Sequence, residues 1–373
     1  MVWMPKWAGR ISPRASNLAP ETVRSGDDLI RFAERTFERV GKAISMAPLR
    51  ISRRVAGTPV EIATTIGEQA EAFADRIADG PITGGSCSPA QILVACSGEL
   101  GLPACPIVAG EMAYLQKLET ALSATQWRMH HHPPTGFWQI WDGDSRTGLQ
   151  LLAGPAILPP WENGSPLRNL LKWALTTPGQ GLLHAGTLAV EGRGMLFVGK
   201  GGSGKSGTVL AGLCAGLESV GDDYVLARVE GHEIRAFPLF NTLKCDMGGL
   251  RRLGLFDRAD ITSKGENWHG KYEFTFPQLT GQPPALDITV SALCLPIIAH
   301  AQRTHFEPLS QRDAFLALTL TGLAQLPGDR ASNFALCSQI TRQLPCMQLR
   351  LGTDAAEVAR VIRTALTKEV SAC

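Results

Sequence analysis

Apolar residues along this chain recur with two periods, one helical and one alternating, and glycine- and proline-rich turns separate the segments. Residues 1–24 mix Pro, Arg, Ser and Trp without periodicity and read as a draped or disordered lead-in. From Asp27 to about Ser45, Leu29, Ala33, Phe37, Val40 and Ile44 follow helical spacing, and Ser25 with Asp28 has the form of a capping box. The other face carries Arg31, Glu34, Arg35, Glu38, Arg39 and Lys42. Such a helix suits packing of its stripe on the body, or docking on a partner or an anionic surface. Residues 46–60, a basic stretch between Pro48 and Pro59, read as a linker. A second amphipathic helix is predicted next, with Ile62, Ile66, Ala70, Phe73 and Ile77 on one stripe and its end at Gly80-Pro81.

Residues 82–180 are mixed. Gln91 to Cys96 predicts a short strand and Glu111 to Thr125 a helix. Phe137 to Trp141 and Gly148 to Leu152 predict two strands joined by the turn-rich Asp142-Gly143-Asp144-Ser145. His130-His131-His132 offers metal-ligating side chains, but adjacent histidines cannot all face one ion, and Pro133-Pro134 mark a loop. Pro166 to Ala174 predicts a helix. Beyond it, Met195-Leu196-Phe197-Val198 has strand length, and Thr208 to Ala215 reads as a helix. Tyr224 to Val229 and Glu233 to Pro238 predict a hairpin about Glu230-Gly231-His232. The continuous apolar run Val290 to Ala299 predicts a strand in a sheet covered on both faces. Helices over Asp313 to Leu326 and Thr353 to Leu366 close the chain.

Composition changes this picture in three places. The 373 residues allow two or three domains, and 44% apolar with 19% charged residues is ordinary for a globular protein. A net charge of +2 gives no ground to expect nucleic acid. Its distribution is uneven, since residues 1–60 hold eleven Lys/Arg against five Asp/Glu, a basic arm before a mildly acidic body. The nine cysteines are scattered, odd in number and without C-x-x-C, as expected of reduced, buried thiols. Met1 to Arg14 lacks the apolar core of a signal peptide, and no run approaches the ~20 residues of a membrane span. The expectation is a cytoplasmic protein without a transmembrane segment.

The chemistry concentrates at Gly199-Lys200-Gly201-Gly202-Ser203-Gly204-Lys205-Ser206, which reads G-x-x-x-x-G-K-S and continues into Gly207. A predicted strand precedes it and a predicted helix follows. In this pattern the glycines let backbone N–H groups turn inward around phosphate oxygens, and the helix N-terminus adds partial positive charge. Lys205 then reaches the β- and γ-phosphates, and the Ser206 hydroxyl ligates Mg²⁺. Nucleotide binding, with ATP and Mg²⁺, is the expectation.

His184 lies 21 positions before Lys205, and Asp222 and Asp223 lie 17 and 18 positions after it. This His, glycine-loop and Asp-Asp spacing resembles HPr kinase/phosphorylase and the wider HPr-kinase-like serine kinases, which share their nucleotide-binding core with phosphoenolpyruvate carboxykinase. The likeness runs from about Leu182 onward and is densest up to Leu226. Pro159-Pro160-Trp161 and Pro166-Leu167-Arg168 resemble a stretch that often precedes the histidine in that group. The resemblance implies an α/β (mixed α+β) fold with a P-loop, carboxykinase-like domain over residues 181–373. Ahead of it stand an accessory region, 61–180, and the basic arm, 1–60.

The implied activity is transfer of the γ-phosphoryl group of ATP to a serine-type hydroxyl of a protein or peptide. By the same resemblance Asp222 is the base, Asp223 joins Ser206 at the metal, and His184 orients Asp222 or the hydroxyl. The order of the pair stays open. Lys244, in Asn241-Thr242-Leu243-Lys244, and Lys271, in Gly270-Lys271-Tyr272, are candidate phosphate or substrate contacts. The family's glycine-containing signature loop, which serves phosphorolysis, is matched only loosely by Leu250 to Leu255. Helical Leu250, Leu253 and Phe256 account for that stretch equally well. HPr as substrate and reverse phosphorolysis are therefore not implied. A small-molecule hydroxyl kinase on the same core, and a non-catalytic nucleotide-binding regulator, are the alternatives. A homo-oligomer is compatible with all three.

Overall fold

The computed structural model describes residues 20–80, 88–109, 115–325, 328 and 330–370. Its first half holds Thr22–Val23 (β1), Gly26–Met46 (α1), Leu49–Val55 (β2), Thr58–Thr64 (β3), Gly67–Arg76 (α2) and Ala90–Cys96 (β4). Ile107–Val108 (β5), Leu115–Leu122 (α3), Trp127–His132 (β6), Phe137–Asp142 (β7) and Thr147–Leu152 (β8) complete it. Apart from the short β1–β5 pair, these strands form one mixed sheet in the order β2-β3-β4-β8-β7-β6.

Both faces of that sheet are buried, which is why β4 reads as the unbroken apolar run Ile92-Leu93-Val94-Ala95-Cys96. Leu93 and Ala95 point to a core shared with α1, whereas Ile92, Val94 and Cys96 point to the opposite core. The predicted helix at 27–45 is α1, closed by a full capping box between Ser25 and Asp28. Its stripe packs on the sheet: Leu29, Ala33, Val40 and Ile44 are buried and Phe37 half-buried.

Two expectations fail nearby. The stretch read as a linker is a β-hairpin, β2–β3, turning at Ala56-Gly57, both with left-handed backbone (φ 46° and 84°). The helix expected from Ile62 onward begins only at Gly67, because Ile62 lies inside β3. Arg50, Arg53 and Arg54 gave the hairpin its loop-like character. They lie on an edge strand, where charge discourages further pairing. The histidine triplet likewise lies on strand β6, not in a loop, and His131 stacks on Trp138 (4.3 Å between ring centroids). Residues 111–114 of the helix expected over 111–125, like residues 1–19, fall outside the described ones.

The second half runs Arg168–Leu175 (α4), Gln180–Leu183 (β9), Gly186–Val190 (β10), Arg193–Phe197 (β11), Lys205–Cys214 (α5), Val225–Glu230 (β12) and Glu233–Pro238 (β13). Thr242–Asp246 (β14), Met247–Arg252 (α6), Ala259–Thr262 (α7), Lys271–Thr275 (β15), Phe276–Thr280 (α8) and Ile288–Ala301 (β16) follow. His305–Pro308 (β17), Gln311–Gln325 (α9), Arg330–Gln343 (α10), Cys346–Gly352 (β18) and Ala355–Val370 (α11) end the chain. An eight-stranded mixed sheet runs β10-β11-β16-β13-β12-β9, with β18 also on β16 and β17 on β18. Leu188, Phe197 and Cys294 face a core with α5 and α11, while Leu196, Val198 and Leu293 face one with α9 and α10. The architecture is thus α/β with several mixed sheets.

Helix α4 joins the two sheets. Asn169 to Leu175 are all buried, so this helix has no solvent face. Its apolar residues enter a core with Ile92, Val94 and Phe137 from the first sheet and Leu182, Leu226 and Phe237 from the second. A buried polar chain, Asn169 Nδ2 to Gln139 Oε1 (2.8 Å) and Gln139 Nε2 to Gln150 Oε1 (2.7 Å), fixes its seat. No helix among the described residues is long and apolar enough to cross a membrane.

Candidate active site

Strand β11 ends at Phe197, and the glycine loop carries the chain into α5 at Lys205. Gly199, Gly202 and Gly204 have φ of 133°, 80° and 106°, values that favour glycine. At Gly204 a Cβ would also lie 2.5 Å from Leu351 Cδ1, so a side chain is excluded there on two counts. Gly201 and Gly202 are exposed beside one cleft, and Gly204 and Gly207 border a second cavity. Lys200 is exposed, and Ser203 is half-buried with its hydroxyl oxygen unpartnered.

Lys205 is buried and its ammonium donates to the carbonyls of Gly199 and Lys200. Burial lowers its pKa, against the pull of the nearby Asp222 and Asp223 charges. The half-buried Ser206 opens the first turn of α5.

Pairing of β9 with β12 places the histidine beside the aspartates. In that antiparallel register Leu183 lies opposite Val225. One step further along each strand, His184 leans on the Tyr224 ring (5.4 Å), and its Nε2 lies 3.1 Å from Asp223 Oδ1. The other oxygen of Asp223 accepts from Lys244 Nζ at 3.0 Å. Lys244 comes from β14, opposite Glu273 on β15, whose Oε1 lies 3.9 Å from the same ammonium. Gly164 lets this pair pack closely, since a Cβ there would stand 2.6 Å from Glu273 Oε1.

The two aspartates differ sharply. Burial alone would raise Asp223, but Lys244 and His184 outweigh it and hold the carboxyl well below the usual range. Asp222 is only 2% exposed, with the Ser206 hydroxyl as its hydrogen-bonding neighbour and no ion-pair partner among the described residues. Burial first, and then the Asp223 charge, push it up to about 6. The charges of Lys271 and Lys205 and a hydrogen bond from the Ser206 hydroxyl pull it the other way. Asp223 faces a cleft of about 430 Å³, together with Trp161, Arg168, His184, Lys244 and Lys271, whereas Asp222 sits behind it. Across the loop lies a cavity of about 340 Å³ walled by Ile298, Leu351 and Val358, with Arg252 and His300 at its edge.

His184, Lys205, Asp222, Asp223, Lys244 and Lys271 therefore meet in one place, although 87 positions separate the first from the last. Sequence reading missed Tyr224, Glu273 and the role of Arg168. The only signal was the Pro-Leu-Arg stretch, and nothing local says that its arginine faces a cleft.

No family model matches this chain, and no curated protein matches it. Among solved structures, the Hpr(Ser) kinase/phosphatase from Coxiella burnetii is similar over 51% of this chain and 98% of its own, at 14% identity and a TM-score of 0.28.

Proposed function

We propose that this chain is an ATP-dependent phosphotransferase that moves the γ-phosphoryl group to a hydroxyl acceptor. One observation carries the reading: Asp222 is a buried carboxylate beside the Ser206 hydroxyl and near Lys205, at the head of a glycine loop, and among the described residues it has no ion-pair partner. A buried carboxylate without a counter-charge is costly, and a cation or a proton would satisfy it in the working state. Its two oxygens and the Ser206 hydroxyl are hard donors that fit Mg²⁺. Bound there with the nucleotide, Mg²⁺ would neutralise charge on the β- and γ-phosphates.

The exchange of roles within the aspartate pair is part of the proposal. Asp222, behind the cleft with Ser206, suits the metal. Asp223, at the cleft with His184, suits the acceptor. The acceptor oxygen attacks the γ-phosphorus, the bond to the β–γ bridging oxygen breaks, and ADP leaves. The hydroxyl proton passes to Asp223. A carboxylate of lowered proton affinity serves here by orienting the hydroxyl and taking its proton late, as a loose transition state allows. Lys205 moves from the loop carbonyls to the phosphates. The apolar cavity beside α5 supports a place for the base of the nucleotide.

Calorimetric titration with Mg·ATP tests the reading. Wild type should bind and Lys205→Ala should bind at least tenfold more weakly. Asp222→Asn should lose the Mg²⁺-dependent part of the affinity, and Asp223→Asn should retain it. Equal binding by wild type and Lys205→Ala would end the nucleotide assignment.

A further inference from the structure

Three cationic side chains, Arg168, Lys244 and Lys271, line the cleft in front of Asp223. Lys244 is engaged by Asp223 at 3.0 Å and Glu273 at 3.9 Å. Lys271 lines the same cleft and is a charged neighbour of Asp222 and Lys205, the groups assigned to the nucleotide and its metal. Arg168 remains. Its Nη1 donates to Tyr224 Oη at 2.8 Å, and its guanidinium carbon lies 5.0 Å from the centroid of the same ring. That phenol is neutral, since burial pushes its hydroxyl further up. Among the described residues no carboxylate lies within ion-pair distance of Arg168, and its Nε is buried without a hydrogen-bond partner. A guanidinium half-withdrawn from water, with the buried Glu162 as an electrostatic neighbour but in no ion pair, keeps donors ready for a planar anion.

The backbone spends strain to hold it there. Leu167, immediately before Arg168, is a buried leucine in the left-handed region (φ 57°, ψ 18°). The buried Glu162 accepts its N–H at 2.9 Å and so stabilises that conformation. Unfavourable backbone of this kind persists where surrounding contacts over-determine it, and such places cluster at ligand sites. Trp161 and Trp268 wall the same cleft and give an organic body apolar surface to lie against.

We propose that Arg168 binds an anionic group on the acceptor, so that the acceptor is a hydroxyl compound bearing a carboxylate or a phosphate. This rests on the phosphotransferase reading for the word acceptor, but not for the anion site itself. The test titrates the full chain with glycerol, glycerate and glycerol 3-phosphate, which share hydroxyls and differ in the anion. Glycerate or glycerol 3-phosphate should bind, and whichever binds more tightly identifies carboxylate or phosphate as the group.

Arg168→Gln should weaken that binding at least tenfold, and Arg168→Lys by less, because it keeps the charge without the fork. Lys205→Ala should leave anion binding intact, which separates this site from the loop. Thermal melting of each variant checks that it is folded. Mg·ATP affinity is measured on the same preparations. Arg168-dependent anion binding without Mg·ATP binding would uphold the site and remove the phosphotransferase reading. Anion affinity equal in wild type and folded Arg168→Gln would overturn the proposal. So would glycerol binding as tightly as the anions, or no anion binding by wild type.

Discussion

Asp222 is the residue whose state should be readable from stability alone. Its folded pKa, about 6, lies above its ordinary value of 3.8. The folded chain therefore holds this proton more tightly than the unfolded one. The stability this contributes is complete below 3.8 and is lost as pH rises through 6. Asp223 runs the other way: its lowered pKa contributes stability above 3.8 that is lost as pH falls. At pH 8 the protein thus carries an unpaired, buried negative charge at Asp222. Asp222→Asn should raise the melting temperature at pH 8, by the equivalent of about 1–3 kcal/mol, and have little effect near pH 4. Mg²⁺ with ATP should raise the wild-type melting temperature more than ATP alone does, and that of the variant no more than ATP alone does. A variant less stable than wild type at pH 8 would show that Asp222 is satisfied in the fold. The spacing of His184, Lys205 and the aspartates was legible in sequence; the β9–β12 register brings the histidine to the aspartates, and the loop after β11 brings Lys205. Which carboxylate turns toward which neighbour was not, since the pair lies in an irregular bend before β12, where no period fixes side-chain direction.

At the scale of elements, periodicity predicted α1, β4, the β7–β8 and β12–β13 hairpins and β16 within a few residues. It failed where charge and proline disguised an edge strand. All seven residues of β2 pair with β3, and α1 covers Leu93, Ala95, Trp138 and Leu149. A chain starting at Gly57 would lose both elements and expose that face. We expect it to be insoluble or molten, read by near-ultraviolet circular dichroism and gel filtration. A soluble, cooperatively melting product would mean the segment is a separable arm after all. A milder change isolates the helix itself. Ser25→Ala removes the cap of α1 and should cost about 1 kcal/mol, seen as a shifted denaturation midpoint with unchanged slope.

The whole molecule brings its two sheets together directly behind the site. Arg228 Nη2 donates to Ala56 O at 2.6 Å, Ala78 N to Leu239 O at 3.0 Å, and Asn241 N to Arg76 O at 2.8 Å. Arg76 of α2 also lies 3.7 Å from Glu273, the residue that steadies Lys244. Likeness to a kinase core suggested a division near residue 180, with the glycine loop, His184 and the aspartates beyond it. The sequence does not reveal that Leu182, Tyr224, Leu226, Phe237, Leu239 and Phe240 complete a core begun by β3, β4 and α4. Such contacts join residues far apart in the chain and leave no local period. Exposing those six side chains would cost on the order of 10 kcal/mol, comparable to the whole stability of a domain. Residues 181–373 expressed alone should therefore aggregate or lose Mg·ATP binding, and co-expression with residues 20–180 should restore both solubility and binding. If the fragment instead stays monomeric and binds Mg·ATP as tightly as the full chain, the first sheet is dispensable to the loop. Trp161, Glu162, Gly164 and Arg168 would then be what the chain before residue 181 adds to the cleft, at the acceptor and not at the nucleotide.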